Sequence, residues 1–191
     1  MVMSKQQEAP GELEHVRAFV NTIDLEEGSE ELAGPDELAT WLAEHGLAPA
    51  GLAATNADVE YAIGLREALR SVLLAHNADG FIHADVAAAL DRAAARSQLR
   101  LHFDKTGSGT LEPEAEGVDG ALGRLLAIIH RSAADGTWTR LKACRDDTCE
   151  WAFYDHTKNR SGAWCNMAVC GNRAKARAYR ERRGAPRGVQ G

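Results

Sequence analysis

The chain has 191 residues, of which 45% are hydrophobic and 26% charged, a composition typical of globular proteins. Its net charge of −6 argues against a protein whose whole surface is basic and binds nucleic acid. No apolar run of the sequence approaches the roughly 20 residues of a membrane span, and residues 1–10 lack the apolar segment of a signal peptide. We therefore expect a cytoplasmic protein.

Helical spacing of apolar residues predicts a mainly α-helical domain over residues 1–136, which we call the body. Pro35 and Gly46 are typical of the two ends of a helix, and Thr55 with Asp58 resembles a capping box at the start of the next helix. The predicted helices cover residues 12–23, 35–45, 55–76, 84–95 and 118–134.

The residues between the last two helices follow a period of two. Leu99, Leu101 and Phe103 alternate with polar residues, which predicts a strand, and the turn residues 107–109 predict a hairpin that returns to Pro113. Residues 25–34 are acidic and are expected to form a loop. The seven histidines are scattered and no activated nucleophile or acid–base pair accompanies them, so we do not expect an enzyme.

Charge is divided unevenly along the chain. Residues 1–136 contain 10 Lys and Arg against 23 Asp and Glu, a net charge of −13, whereas residues 137–191 contain 12 against 5, a net charge of +7. An acidic body followed by a basic C-terminal module favours an anionic partner such as nucleic acid. The alternative is a solvated basic tail, or one that docks on the acidic body of its own chain.

All four cysteines of the chain lie in this basic module, which spans residues 137–191. They form two C-x4-C pairs separated by fifteen residues, a pattern typical of tetrahedral zinc sites. Sulfur would fill every coordination position, so we predict one structural Zn²⁺ ion. Two disulfides are the alternative, which a cytoplasmic location disfavours. The predicted ligands are Cys144, Cys149, Cys165 and Cys170.

Short aromatic strands around Trp151 and Phe153 and a basic helix complete the predicted module. Asn172 is a good N-cap residue, and the alanines and arginines after it favour a helix that can present cations to phosphates or base edges. Residues 184–191 are expected to form a frayed tail. The candidate nucleic-acid contacts are Arg173, Lys175, Arg177, Arg180, Arg182 and Arg183 of the helix, with Lys158 and Arg160 from the preceding loop.

Several of these stretches resemble a known bacterial family. Cys170-Gly171-Asn172-Arg173 matches the four residues for which the CGNR zinc finger is named, and residues 144–149 and 164–175 as a whole are similar to its signature. Residues 19–22 and 38–42 resemble the ABATE domain that accompanies it, so the resemblance covers about residues 12–185. One departure is His156-Thr157, where related sequences more often have a Thr-Ser-like pair.

The resemblance implies a stress-induced transcription regulator in which the four cysteines bind zinc and the module binds DNA. A zinc-stabilised protein-interaction module without nucleic-acid binding is the alternative, and the same charge would also permit binding to RNA. The regulator hypothesis also allows a small-molecule effector that binds the body, and a second copy of the chain in a homodimer.

Overall fold

The computed structural model describes residues 8–77 and 80–184, with a mainly α-helical body followed by a small C-terminal module. The predicted tail after Gly184 lies outside the described residues. The helices are α1 (Leu13–Val20), α2 (Pro35–Glu44), α3 (Asn56–Ala75), α4 (Ala84–Arg96), α5 (Gly117–Ala134) and α6 (Asn172–Gly184). Within these two described ranges, three antiparallel two-stranded sheets accompany the helices: β1 (Ile23–Asp24) with β2 (Ser29–Glu30), β3 (Leu99–Phe103) with β4 (Gly109–Pro113), and β5 (Leu141–Ala143) with β6 (Ala152–Tyr154).

Local signals in the sequence correctly predicted the start of α3 and the β3–β4 hairpin. The Thr55 hydroxyl accepts a hydrogen bond from the backbone N–H of Asp58 at 3.3 Å, and the Asp58 carboxylate accepts one from the Thr55 N–H at 2.9 Å. This reciprocal pair satisfies two N–H groups that the first turn leaves without helical partners. In the hairpin, Leu101 lies opposite Leu111.

The segment after α1 differs from the prediction. The helix ends at Val20 rather than near Ile23, because Thr22 turns back and its hydroxyl donates a hydrogen bond to the carbonyl of Phe19 at 2.9 Å. Ile23 then begins β1, and the acidic segment predicted as a loop contains β2. Gly28 supplies the positive φ of +70° that the turn between these strands requires.

One hydrophobic core joins the body to the start of the C-terminal module. Apolar side chains of α1, α2, α3 and α5 fill it, and Leu141 and Ala143 of β5 with Ala152 and Tyr154 of β6 belong to the same buried cluster. The β5–β6 hairpin therefore completes the core of the helical body and fixes the place from which the cysteine-bearing loops project. Within the residues that the structure describes, no helix is both long and apolar enough to cross a membrane.

Candidate metal centre

The first cysteine pair lies on a loop that continues directly from the β5–β6 hairpin. The Cys144 N–H donates to the carbonyl of Trp151 at 2.9 Å, which extends the strand pairing by one residue. The loop then turns tightly around Asp146, whose carbonyl accepts from the Cys149 N–H at 2.9 Å and whose carboxylate accepts from the Thr148 hydroxyl at 2.9 Å. These bonds direct Cys144 and Cys149 towards one point.

The second cysteine pair lies at a π-helical turn, Met167–Gly171, which leads directly into α6: Cys165 precedes the turn and Cys170 lies within it. Asn166 caps this turn, since its side-chain oxygen accepts from the N–H groups of Ala168 and Val169 at 2.9 and 3.3 Å. The cap is therefore six residues earlier than the predicted Asn172, which is already helical and donates its side-chain N–H to the Ala168 carbonyl. The cysteine turn and the basic helix are thus one continuous element.

The structure brings all four cysteine sulfurs together, and they lie within 4.8 Å of one another. The four residues are buried and form no disulfide. With Zn–S bonds of about 2.3 Å, the sulfurs of a tetrahedral site lie about 3.8 Å apart. The Cys149–Cys165 and Cys165–Cys170 sulfur distances are 3.6 and 3.7 Å, so the cluster fits a zinc ion of this geometry. Trp151, Phe153 and Trp164 pack against the cluster and shield it.

Contacts among the thiols shift the pKa values of Cys144 and Cys165 in opposite directions. Hydrogen bonds from Cys149 and Cys165 lower the pKa of Cys144, because they stabilise its thiolate. Hydrogen bonds with Cys144 and Cys149, together with burial, raise the pKa of Cys165. A bound divalent cation would favour loss of the proton from every thiol, since cysteine binds a metal as the thiolate. Metal affinity will therefore fall as the pH is lowered.

Two arginines at the start of α6 are paired with acidic residues. Asp146 is only 1% exposed, and its carboxylate lies 3.0 Å from Nε of Arg173 and 3.4 Å from Nη2 of Arg177. Burial raises the pKa of Asp146, but the Thr148 hydrogen bonds and the two arginines outweigh it, so the net pKa is lowered. Arg177 also pairs with Asp147 at 2.8 Å. The predicted nucleic-acid contacts Arg173 and Arg177 are thus already bound by carboxylates of the chain.

The other predicted basic residues are more open. Lys175, Arg180 and Arg182 of α6 are exposed, together with the half-exposed ring of Tyr179. Lys158 and Arg160 are also exposed, but they lie in a separate loop, where Arg160 contacts Thr139. This loop is held by the buried ion pair of Lys142 with Asp155 at 2.8 Å, which the sequence did not reveal. The side chain of Arg183 is outside the described residues.

Two buried polar side chains of the body anchor the module, and neither was predicted. The Asn21 side chain donates to the Ala152 carbonyl at 2.9 Å and accepts from the Ala152 N–H at 2.7 Å. These two bonds satisfy backbone groups of β6 that would otherwise pair with a further strand. Arg70 donates to the carbonyls of Glu150 and Val20 at 2.9 and 2.6 Å. Position was the only available signal: Asn21 directly follows the apolar pair Phe19 and Val20, and Arg70 directly follows Ala68 and Leu69.

Comparison with protein families divides the chain into two matched regions. Residues 16–137 match the ABATE family, described as "Putative stress-induced transcription regulator". Residues 140–183 match the CGNR zinc finger. The first match covers more than half of the chain, and the second contains all four clustered cysteines. No curated protein matches the chain.

Proposed function

The chain belongs to the ABATE family and carries a CGNR zinc finger, and we propose that it is a transcription regulator that binds DNA through α6. One structural zinc ion would close the cysteine cluster and hold the two loops from which α6 begins. The residues supply every position of a tetrahedral shell as sulfur, so the proposed role of the metal is to fold the module and position the helix.

The observation that supports this proposal most directly is the exposed cationic side of α6. At 100° per residue, Lys175, Tyr179 and Arg182 project from the side of the helix opposite Arg173 and Arg177. Lys175 and Arg182 are exposed, whereas Arg173 and Arg177 are paired with carboxylates. We therefore assign the phosphate contacts to Lys175 and Arg182. Arg180 is also exposed, but it lies on the same side of α6 as Arg173 and Arg177. An exposed tyrosine between cations can also stack on a base.

A salt titration of DNA binding tests this assignment. The K175A/R182A double variant of the zinc-loaded chain should bind duplex DNA about tenfold more weakly, and the slope of log K against log salt should fall by about 2, because two phosphate contacts are lost. The matched control is R92A/K105A, which removes two exposed cations from the body. Equal losses in both double variants, or no binding of the intact protein at low salt, would refute the proposal.

The alternative function is binding to an acidic protein surface, and one observation favours it. Arg173 forms an ion pair with Glu26 of the body at 2.8 Å, so the basic helix already binds acidic groups of the same chain. A partner retained by the module after nuclease digestion, and lost in K175A/R182A, would support this alternative over DNA binding. The cytoplasmic location, the effector and the homodimer stay predictions.

A further inference from the structure

The guanidinium of Arg173 joins three groups from different parts of the chain. Its Nη2 donates to the Cys170 sulfur at 3.3 Å. Its Nη1 and Nη2 donate to the two carboxylate oxygens of Glu26 at 2.8 and 3.2 Å. Its Nε lies 3.0 Å from the buried carboxylate of Asp146, in the loop of the first cysteine pair. One side chain thus contacts a predicted zinc ligand, the opposite cysteine loop and the helical body.

The charge of the metal site explains why a cation belongs at this position. A zinc ion with four thiolates carries two net negative charges, and here the sulfurs are buried, Cys170 being 1% exposed. Buried negative charge is costly unless hydrogen bonds and cations compensate it. Arg173 supplies a hydrogen bond and a positive charge to the sulfur of Cys170. Groups that contact metal ligands in this way raise metal affinity and hold the ligands in orientation.

The body presents Glu26 to this arginine from an ordered turn. Glu26 lies between β1 and β2, where the Asp24 carboxylate accepts hydrogen bonds from the N–H groups of Glu26 and Glu27 at 2.9 and 3.0 Å. These bonds fix the backbone of the turn while both glutamate side chains remain exposed. Glu27 offers a comparison, since the described residues give its side chain neither a hydrogen bond nor an ion pair.

From this arrangement we propose that Arg173 couples metal binding at the cysteine cluster to attachment of α6 to the β1–β2 turn. Arg173 is a positioning residue: its guanidinium would bond more strongly to a negatively charged, metal-bound sulfur of Cys170, and that bond would hold the guanidinium where both carboxylate oxygens of Glu26 can accept from it. The coupling is reciprocal, so the Glu26 contact must in turn favour the metal-bound state. A lysine could not maintain all three contacts, because its single ammonium group lacks the planar fork of arginine.

The first test measures zinc affinity by competition with a chromophoric chelator. Glu26→Gln should weaken zinc binding about fivefold, whereas Glu27→Gln, which removes the same charge from the same turn, should leave the affinity unchanged. Arg173→Met should weaken it about tenfold or more, and Arg173→Lys should give an intermediate loss. Adding Glu26→Gln to Arg173→Met should have no further effect.

Two further measurements separate coupling from a general loss of structure. Cobalt substitution should show a shifted thiolate-to-metal charge-transfer band in Arg173→Met, because the N–H to sulfur bond is lost. In the unaltered chain, metal removal should accelerate hydrogen exchange at the N–H groups of Glu26 and Glu27. In the Arg173→Met variant, the exchange rate of these two N–H groups should be the same with and without metal. Equal affinities for Glu26→Gln and Glu27→Gln, an increased affinity for Glu26→Gln, or metal-independent exchange in the unaltered chain would overturn the proposal. None of these readouts involves DNA, so they are independent of the proposed function.

Discussion

Replacing Asn21 by alanine should destabilise the whole chain, because this buried side chain joins the helical body to strand β6. The substitution removes both partners of Ala152, whose N–H and carbonyl form hydrogen bonds of 2.7 and 2.9 Å with the amide of Asn21. Each buried backbone group left without a partner costs about 1–3 kcal/mol, so we expect a loss of about 2–4 kcal/mol in the free energy of unfolding. For a chain of this length, the melting temperature should fall by about 5–15 °C.

Urea unfolding of the zinc-loaded protein, followed by circular dichroism, measures this loss. Asn159→Ala is the matched control: Asn159 is exposed, and its removal should change the free energy of unfolding by less than about 0.5 kcal/mol. Asn21→Asp retains an acceptor for the Ala152 N–H but loses the donor and buries a charge, so it should cost at least as much as the alanine variant. A loss for Asn21→Ala no larger than that for Asn159→Ala would refute the reasoning.

Three other predictions concern pH, glycines and the metal. Burial raises the pKa of Asp155, but hydrogen bonds from Lys142 and Thr157 outweigh it and lower the pKa to about 2. The carboxylate of Asp155 is therefore protonated less readily in the native state than in the unfolded state. About 2 kcal/mol of stability should therefore be present above pH 4 and be lost as the pH falls towards 2, and urea unfolding should show that this loss is missing in Asp155→Asn. Gly64→Ala should stabilise the chain by about 1 kcal/mol, because space is open around Gly64. Gly123→Ala should destabilise it, because a Cβ there would lie 2.6 Å from Ser97 and 2.8 Å from Pro113. Thermal unfolding that shifts in the same direction for both variants would contradict one of these two predictions. Elemental analysis should find one zinc ion per chain, and chelation should make all four thiols reactive towards a thiol reagent; fewer than four reactive thiols after chelation would contradict the cluster.

The sequence predicted those features that depend on neighbouring residues. The capping box of α3 and the alternation of the β3–β4 hairpin act over a few residues, and the spacing of the cysteines restricts how they can be arranged around one ion. The β1–β2 hairpin was missed because two residues per strand are too few to show a period of two.

Partners that are distant in the sequence could not be predicted in the same way. Asn21 binds Ala152 across 131 positions, and nothing in either local sequence identifies the other. The helical pattern of α6 placed Arg173 and Arg177 on one side, but it did not reveal that Asp146 lies against that side. The sequence therefore predicted the cysteine cluster that the structure contains, whereas the basic side chains of α6 that remain exposed had to be identified from the fold.

The shared core has a practical consequence for work on the zinc finger in isolation. A fragment beginning near residue 137 would leave the apolar side chains of Leu141 and Tyr154 without the helices that bury them, and it would also lose the amide that completes the edge of β6. Such a peptide should aggregate or misfold even with metal present. Grafting this finger onto another protein would require the recipient to supply a matching apolar surface and an equivalent of Asn21.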